Sequence, residues 1–241
     1  MPRPVFVELL GFPGSGKTTV AKAALTHLRS SGATPPFFYG RDGKHHSGRD
    51  DVTALLAQVS RTVGRSLGVG GPRVGMRQWR RFLPVVDKTL LFRRVRRRHG
   101  NDAVVLFDQG PIQMLYLLGD GDVPGRDDMV ALLELLRPDL AEVSVFMDTP
   151  AEVAAHRYFA RAKSTSRRPY KGWNEERISA LYAAHVPAIR WIAEWLEASS
   201  STMVLRLDGR LEPERNGVIL ARAIEEATHW AISRRDPAGA G

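Results

Sequence analysis

The sequence predicts an α/β protein with a doubly wound, five-stranded parallel sheet and helices on both faces. Five short runs of β-forming apolar residues recur along the chain, and segments with helical apolar spacing separate them. The runs are apolar throughout rather than alternating, which is typical of strands covered on both faces. No internal repeat or linker interrupts this alternation, so we expect a single domain over residues 1–241.

The five apolar runs are the predicted strands. Each is short and bounded by glycine, proline or polar residues, as buried strands are. They cover Val5–Leu10, Phe37–Tyr39, Ala103–Phe107, Val143–Met147 and Thr202–Leu207.

The segments between the strands carry apolar residues three and four positions apart, the spacing of an amphipathic helix. Pro84 and Pro187 are expected to bend two of these helices. Asp50 or Asp51 can cap the second helix. The predicted helices are Thr18–Arg29, Val52–Val63, Met76–His99, Ile112–Leu118, Asp127–Leu136, Pro150–Ala162, Glu175–Ala198 and Glu212–Ile232.

The composition excludes several classes of protein. The chain has 241 residues, of which 43% are hydrophobic, and it contains no cysteine. It therefore cannot be a disulfide scaffold or hold a thiolate metal site. No apolar run approaches the roughly 18 residues of a membrane span, and the N-terminus lacks an apolar signal segment. We expect a soluble, cytoplasmic protein without membrane partners.

The net charge of +9 is concentrated in two segments. Six bases lie within residues 88–98 and five within 161–171, and neither segment contains an acid. Outside them the chain holds 24 bases and 26 acids. A basic segment can serve a nucleic acid, a partner protein or a phosphate group, or it can form a solvated face.

Residues 11–18, with the sequence GFPGSGKT, match the phosphate-binding pattern G-x-x-x-x-G-K-[ST] between the first strand and the first helix. Glycines allow successive N–H groups to converge on phosphate oxygens, and the helix N-terminus adds positive potential. The lysine of this pattern reaches the β- and γ-phosphates. The predicted phosphate ligands are Gly11, Pro13, Gly14, Ser15, Gly16, Lys17, Thr18 and Thr19.

Asp108 directly follows the third predicted strand. A carboxylate there can complete a Mg²⁺ site with the Thr18 hydroxyl. Many strands end in aspartate only to cap the next turn or helix, so the phosphate loop is the feature that favours the metal interpretation.

Five stretches occur together in a characteristic order. They are the phosphate loop with Thr19, residues 90–92 (LLF), residues 108–111 (DQGP), Pro150-x-Glu152-Val153 with Arg157 and Arg161, and residues 207–209 (LDG). In this the chain resembles the P-loop kinases of nucleosides and nucleoside monophosphates, especially thymidylate kinases and deoxynucleoside kinases. It has no Asn-Lys-x-Asp string, which guanine-specific GTPases carry.

The resemblance implies ATP, Mg²⁺ and a mobile basic lid around residues 161–173. Arg157 and Arg161, one helical turn apart, would both point at the transferred phosphate, and Arg167 would lie on the lid. The adenine would lie near Asp208–Leu211, where Arg210 can stack on it or simply be exposed. The alternative for the basic segment is a solvated loop.

The acceptor side departs from the family pattern. Gln109 stands where these kinases usually have an arginine, and Asp42 is our candidate for the group that accepts a hydroxyl proton, although a turn aspartate is an equal interpretation. Arg41, Lys44 and Arg49 can bind an anionic acceptor, whereas His45 and His46 are expected to be a surface pair. Predicted pocket residues are Phe37, Phe38, Trp79, Phe82, Gln113 and Tyr116.

These observations are consistent with three functions. The first is transfer of the γ-phosphate of MgATP to a nucleoside or nucleoside monophosphate-like molecule. The second is the same chemistry on a sugar, antibiotic or specialised metabolite. The third is a nucleotide-dependent nucleic-acid-binding or regulatory protein. We expect ATP and a small-molecule acceptor as partners, with a homodimer as a further expectation.

Overall fold

Five strands form one parallel sheet in the order β2-β3-β1-β4-β5. The computed structural model describes residues 4–31, 37–39, 55, 59, 76–98, 104–116, 126–162, 170, 172–199 and 201–233. The strands are β1 (Val5–Leu10), β2 (Phe37–Tyr39), β3 (Val104–Phe107), β4 (Val143–Asp148) and β5 (Met203–Asp208). The predicted fold class is confirmed, and each strand bound lies within one residue of its prediction.

Seven helices can be given bounds within the described residues. They are α1 (Lys17–Ser30), α2 (Met76–Arg98), α3 (Pro111–Tyr116), α4 (Arg126–Leu136), α5 (Ala151–Ala162), α6 (Glu175–Ser199) and α7 (Pro213–Ser233). Of the predicted helix Val52–Val63, Leu55 and Val59 are helical and buried, and the rest lies outside the described residues.

A short 3₁₀ turn, Arg137–Asp139, comes directly after α4 and was not predicted. Pro138 explains it, because proline has no N–H for the helical ladder and disfavours the helical conformation of the residue before it. Pro84 and Pro187, by contrast, lie inside α2 and α6, which continue past them.

The helices cover the two faces of the sheet with separate cores. On one face, alternate strand residues such as Val7 and Val145 pack with apolar residues of α1 and α7. On the other face, residues such as Leu10 and Phe146 pack with α2 to α6, and Phe6 and Phe107 pack with α2. Burial of these side chains is the main force that holds the sheet.

The chain leaves two neighbouring strands toward opposite faces. After β1 it enters α1 on one face, and after the adjacent β3 it enters α3 on the other. In open α/β sheets, ligands bind in the crevice that such a reversal opens beyond the carboxyl ends of the strands. The phosphate loop and Asp108 both lie at this crevice.

Two strands differ from the prediction that every strand is apolar on both faces. Glu8, in the middle of β1, is fully buried. Strand β5 is only partly buried, and its Arg206 is exposed and paired with Glu197 at 3.1 Å. The position of β5 at the edge of the sheet explains its exposure.

Candidate active site

The phosphate loop has the backbone form that its glycines predict. Gly11, Gly14 and Gly16 have φ angles of 146°, 89° and 99°, which favour glycine. The Ser15 N–H donates to the Phe12 carbonyl at 3.0 Å and closes the turn. Gly14 also packs against the backbone of α5, where a β-carbon would collide with the Ala154 carbonyl. The loop is therefore fixed between β1, α1 and α5.

Lys17 is buried at the first position of α1. Its Nζ donates to the carbonyls of Gly11 at 2.6 Å and Phe12 at 2.9 Å. Burial lowers the pKa of Lys17 to about 8, whereas the charge of Asp108 raises it and that of Arg161 lowers it further. The ammonium thus lies in the loop with a proton that its surroundings hold weakly.

Thr18 and Asp108 meet beside this lysine. The Thr18 hydroxyl donates to Asp108 Oδ2 at 2.9 Å across the crevice between α1 and β3. Asp108 Oδ1 and Ser15 Oγ are buried and have no hydrogen-bond partner among the described residues. Unsatisfied oxygens beside a phosphate loop fit a hard cation such as Mg²⁺, which prefers oxygen ligands. The donor set therefore suits the predicted metal.

Gln113, predicted to contact the acceptor, is bonded to the phosphate loop. Its Oε1 accepts from the Gly11 N–H at 2.9 Å, and its Nε2 donates to the Gly11 carbonyl at 3.1 Å. The backbone N–H of Gln113 donates to Glu8 Oε1 at 2.8 Å. Burial raises the pKa of Glu8 to about 8, although three backbone N–H groups oppose the shift.

The turns after β4 and β5 also contact the phosphate loop. The Thr149 hydroxyl donates to the Ser15 carbonyl at 3.1 Å. Gly209 packs so closely that a β-carbon would collide with the Thr149 side chain. The side chain of Asn216, near the start of α7, donates to the Asp208 carbonyl at 2.8 Å. The turn after β5, the predicted nucleobase region, therefore packs against Thr149, which bonds to the phosphate loop.

The two arginines of α5 have different surroundings. Arg157 donates from Nη1 to the Gly209 carbonyl at 2.8 Å. Arg161 is exposed, and its charge lies close enough to lower the pKa of Lys17. The expectation that both side chains point at one site stays a prediction; in this conformation Arg157 holds the β5–α7 turn.

Arg210 is exposed and held by Asp208. Its Nε lies 3.0 Å from Asp208 Oδ1, and its Nη2 lies 2.9 Å from Oδ2. This pairing lowers the pKa of Asp208 to about 2. A guanidinium fixed along one edge keeps its planar face available for stacking.

The acceptor side is described only in part. Gln109 is half-buried directly after Asp108, and Phe82 is buried in the core. Trp79 lies in α2 and Tyr116 ends α3, but their side chains are outside the described part. Also outside it are Arg41, Asp42, Lys44, His45, His46, Arg49 and Arg167.

The positions of the remaining predicted phosphate ligands vary. Pro13 and Gly16 are partly buried in the loop, and Thr19 is exposed on α1.

Sequence reasoning missed Glu8, Thr149 and Asn216. A carboxylate within an apolar strand is a signal that could have identified Glu8, because an acid is rarely buried without partners.

No helix in the described ranges is long and apolar enough to cross a membrane.

The sequence matches no protein-family model and no curated protein. Among solved structures, the chain is similar to deoxyadenosine kinase from M. mycoides with bound dCTP, with 10% identity and a TM-score of 0.48 over 92% of this chain and 99% of that one. A second structure of that enzyme, with products dCMP and a flexible dCDP bound, gives 10% identity and a TM-score of 0.49 over 92% and 98%.

Proposed function

We propose that the protein is an ATP-dependent phosphotransferase that moves the γ-phosphate of MgATP to a nucleoside or nucleoside monophosphate-like molecule. The observation that carries this proposal is the contact of Thr18 with Asp108 at 2.9 Å, directly beside the buried Lys17. It combines a cation, a hydroxyl and a carboxylate at the opening of α1, which are the groups that phosphoryl transfer from a nucleotide requires.

The donor side has a distinct role for each group. The N–H groups of the glycine-rich turn and of the first turn of α1 bind the phosphates, and Lys17 moves from the loop carbonyls to phosphate oxygens. Thr18 and Asp108 would hold Mg²⁺, which supplies positive charge to the phosphate oxygens when bound. Arg161 then neutralises charge that develops on the transferred group.

The nucleobase lies along the β5–α7 turn in this proposal. Arg157 and Asn216 occupy the carbonyls of Gly209 and Asp208 and so fix the shape of this turn. Arg210 offers its planar face to the base. Arg167 remains a predicted lid residue.

The acceptor binds beyond Asp108, at the carboxyl end of β3. Gln109 contacts it there, with Asp42 as the proposed proton acceptor and Arg41, Trp79 and Tyr116 as further proposed contacts. Because both ends of its amide are engaged with Gly11, we assign Gln113 to the support of the phosphate loop instead.

The identity of residue 109 favours a second candidate acceptor. A glutamine is uncharged and can bind a hydroxyl but brings no charge to a phosphate. This supports transfer to a hydroxyl of a sugar, an antibiotic or another metabolite without a phosphate. Homodimer formation and a cytoplasmic location stay predictions.

The test is a screen for acceptor-dependent ATP consumption over nucleosides, nucleoside monophosphates, sugars and aminoglycosides. We expect consumption with a member of the first two groups and none with Lys17→Ala, whose circular dichroism spectrum should match that of the unchanged protein. Consumption only with a sugar or antibiotic would favour the second candidate. Full activity of Lys17→Ala would contradict both.

A further inference from the structure

Glu8 is a buried carboxyl group that the proposed chemistry does not use. It lies in β1, between β3 and β4, and its side chain is fully buried. Burying a carboxyl group is unfavourable unless hydrogen bonds compensate it. The partners of Glu8 therefore indicate why a carboxyl group stands in this strand.

These partners are the backbone N–H groups that open α3. The Gln113 N–H donates to Glu8 Oε1 at 2.8 Å, and the N–H groups of Ile112 and Gly110 lie near enough to oppose the rise in its pKa, while Oε2 is buried without a hydrogen-bond partner among the described residues. A β-carbon on Gly110 would collide with the Glu8 carboxyl carbon, so the turn lies directly against the side chain. Glu8 thus fixes the position of residues 110–113.

Residues 110–113 connect to the phosphate loop on one side. The side chain of Gln113 both accepts from the Gly11 N–H and donates to the Gly11 carbonyl. Gly11 in turn accepts a hydrogen bond from Lys17 Nζ through the same carbonyl. A displacement of the first turn of α3 would therefore move the peptide groups that position Lys17.

The same residues connect to the metal-binding carboxylate on the other side. Gly110 lies two residues after Asp108, and Asp108 Oδ2 accepts from the Thr18 hydroxyl. The segment 108–113 therefore contacts the phosphate loop twice, through Asp108 and through Gln113. Glu8, which lies in β1, contacts the same segment at the Gln113 N–H and at Gly110.

We propose that Glu8 is a positioning residue that sets the phosphate loop and Asp108 in register for MgATP. The inference rests on the proposed function and adds a residue to it. Glu8 touches neither nucleotide nor metal and acts only through residues 108–113. Residues that orient metal ligands in this way commonly change metal affinity or activity by about 10- to 100-fold when they are replaced.

Three variants separate this role from a merely structural one. Glu8→Gln keeps a carbonyl oxygen that can accept from the N–H groups of α3. It also resembles the protonated carboxyl group, which the raised pKa of Glu8 favours at neutral pH. Glu8→Met keeps the length and removes the acceptor. Gln113→Leu breaks only the second link and serves if Glu8→Met does not fold.

A matched control removes core packing without touching segment 108–113. Ile224 of α7 is buried in the core on the opposite face of the sheet, which contains no residue of segment 108–113. Ile224→Val should lower the melting temperature but leave nucleotide affinity unchanged. It shows how much of any loss is due to reduced stability alone.

The experiment is titration of each protein with ATP in the presence of Mg²⁺ and with ATP in EDTA, together with thermal unfolding. We expect the Mg²⁺-dependent gain in affinity to fall about tenfold or more in Glu8→Met and Gln113→Leu. Glu8→Gln should keep the Mg²⁺-dependent gain in affinity close to that of the unchanged protein. The inference is overturned if Glu8→Met or Gln113→Leu loses stability yet binds MgATP like the unchanged protein.

The unchanged protein distinguishes failure of the proposed function from failure of the role of Glu8. If it binds no ATP under any condition, the proposed function fails and this inference fails with it. If it binds MgATP and the folded variants bind equally well, only the role of Glu8 is refuted.

Discussion

The pKa of Lys17 is expected to differ between the ligand-free protein and a protein with bound phosphate. In the loop it is buried against two carbonyls, and desolvation lowers its pKa to about 8. Phosphate oxygens stabilise the charged form and would raise the pKa again. In the proposed function, nucleotide binding would therefore be linked to protonation of this side chain.

This linkage predicts that affinity for MgATP falls as the pH rises through about 8. The lowered pKa means that the free protein loses the proton there, whereas binding requires the ammonium, so the complex takes up a proton. Phosphate groups are ionised well below this range, with a second pKa of about 6. Isothermal titration in two buffers with different ionisation enthalpies measures the uptake.

Lys17→Arg is the matched control, because arginine stays charged throughout this range. It should bind more weakly and show no proton uptake at the same pH. Equal uptake by Lys17→Arg and the unchanged protein would contradict the assignment to Lys17.

At the scale of single residues, the sequence predicts local features and misses distant pairings. The positive φ angles of Gly11, Gly14 and Gly16 are expected from the phosphate-loop pattern alone. The bond between Gln113 and Gly11 is not, because 102 residues separate them and only the packed sheet brings them together. Gln113 was consequently predicted to bind the acceptor.

At the scale of elements, α5 carries two arginines one turn apart that have different surroundings. Arg157 bonds to the β5–α7 turn, and the charge of Arg161 lowers the pKa of Lys17. Helical spacing predicted that they share a face, which is correct for neighbours four positions apart. It could not predict the bond from Arg157 to the Gly209 carbonyl, because 52 residues separate the two.

Arg161→Ala should therefore lower kcat by about a hundredfold or more with a small change in KM for ATP, because it removes a charge needed in the transition state. Arg157→Ala should raise KM for ATP about tenfold with little change in kcat, because it frees the Gly209 carbonyl. Steady-state kinetics in ATP measures both.

Arg222→Ala, which removes an exposed arginine of α7, is the control and should change neither constant. A large fall in kcat for Arg157→Ala together with unchanged kinetics for Arg161→Ala would reverse the assignment.

Bounds of elements were predicted closely where local signals exist. Glycine and proline mark the ends of β1 and α1, and Pro138 explains the turn that ends α4. The order β2-β3-β1-β4-β5 was not predicted, because strand pairing depends on contacts between segments far apart in sequence. That order is what places Asp108 beside the phosphate loop.

At the scale of the whole molecule, part of the positive charge stabilises the fold. Arg93 contacts both oxygens of the buried Asp139, and Arg96 pairs with Glu142 at 3.0 Å. Arg96 also lies 4.8 Å from the centre of the Phe6 ring, a cation–π distance. Two of the six bases of the 88–98 segment therefore join α2 to the residues that precede β4.

This arrangement reduces the case for a nucleic-acid partner. Bases that are paired within the protein contribute little to binding a polyanion, whereas Arg97 and Arg98 are exposed. The charge of Arg161, from the second basic segment, lowers the pKa of Lys17. This distribution is consistent with the proposed function, in which phosphate groups bind at the crevice.

In the proposed function, the γ-phosphate of ATP passes to a small molecule bound beyond Asp108. To test this, γ-labelled ATP and Mg²⁺ are incubated with the unchanged protein and the acceptor identified by the consumption screen. The labelled species are then separated by chromatography. We expect label in a new phosphorylated acceptor, and its loss in Asp108→Asn. Release of the label only as inorganic phosphate, or label transfer that is unaffected by Asp108→Asn, would contradict it.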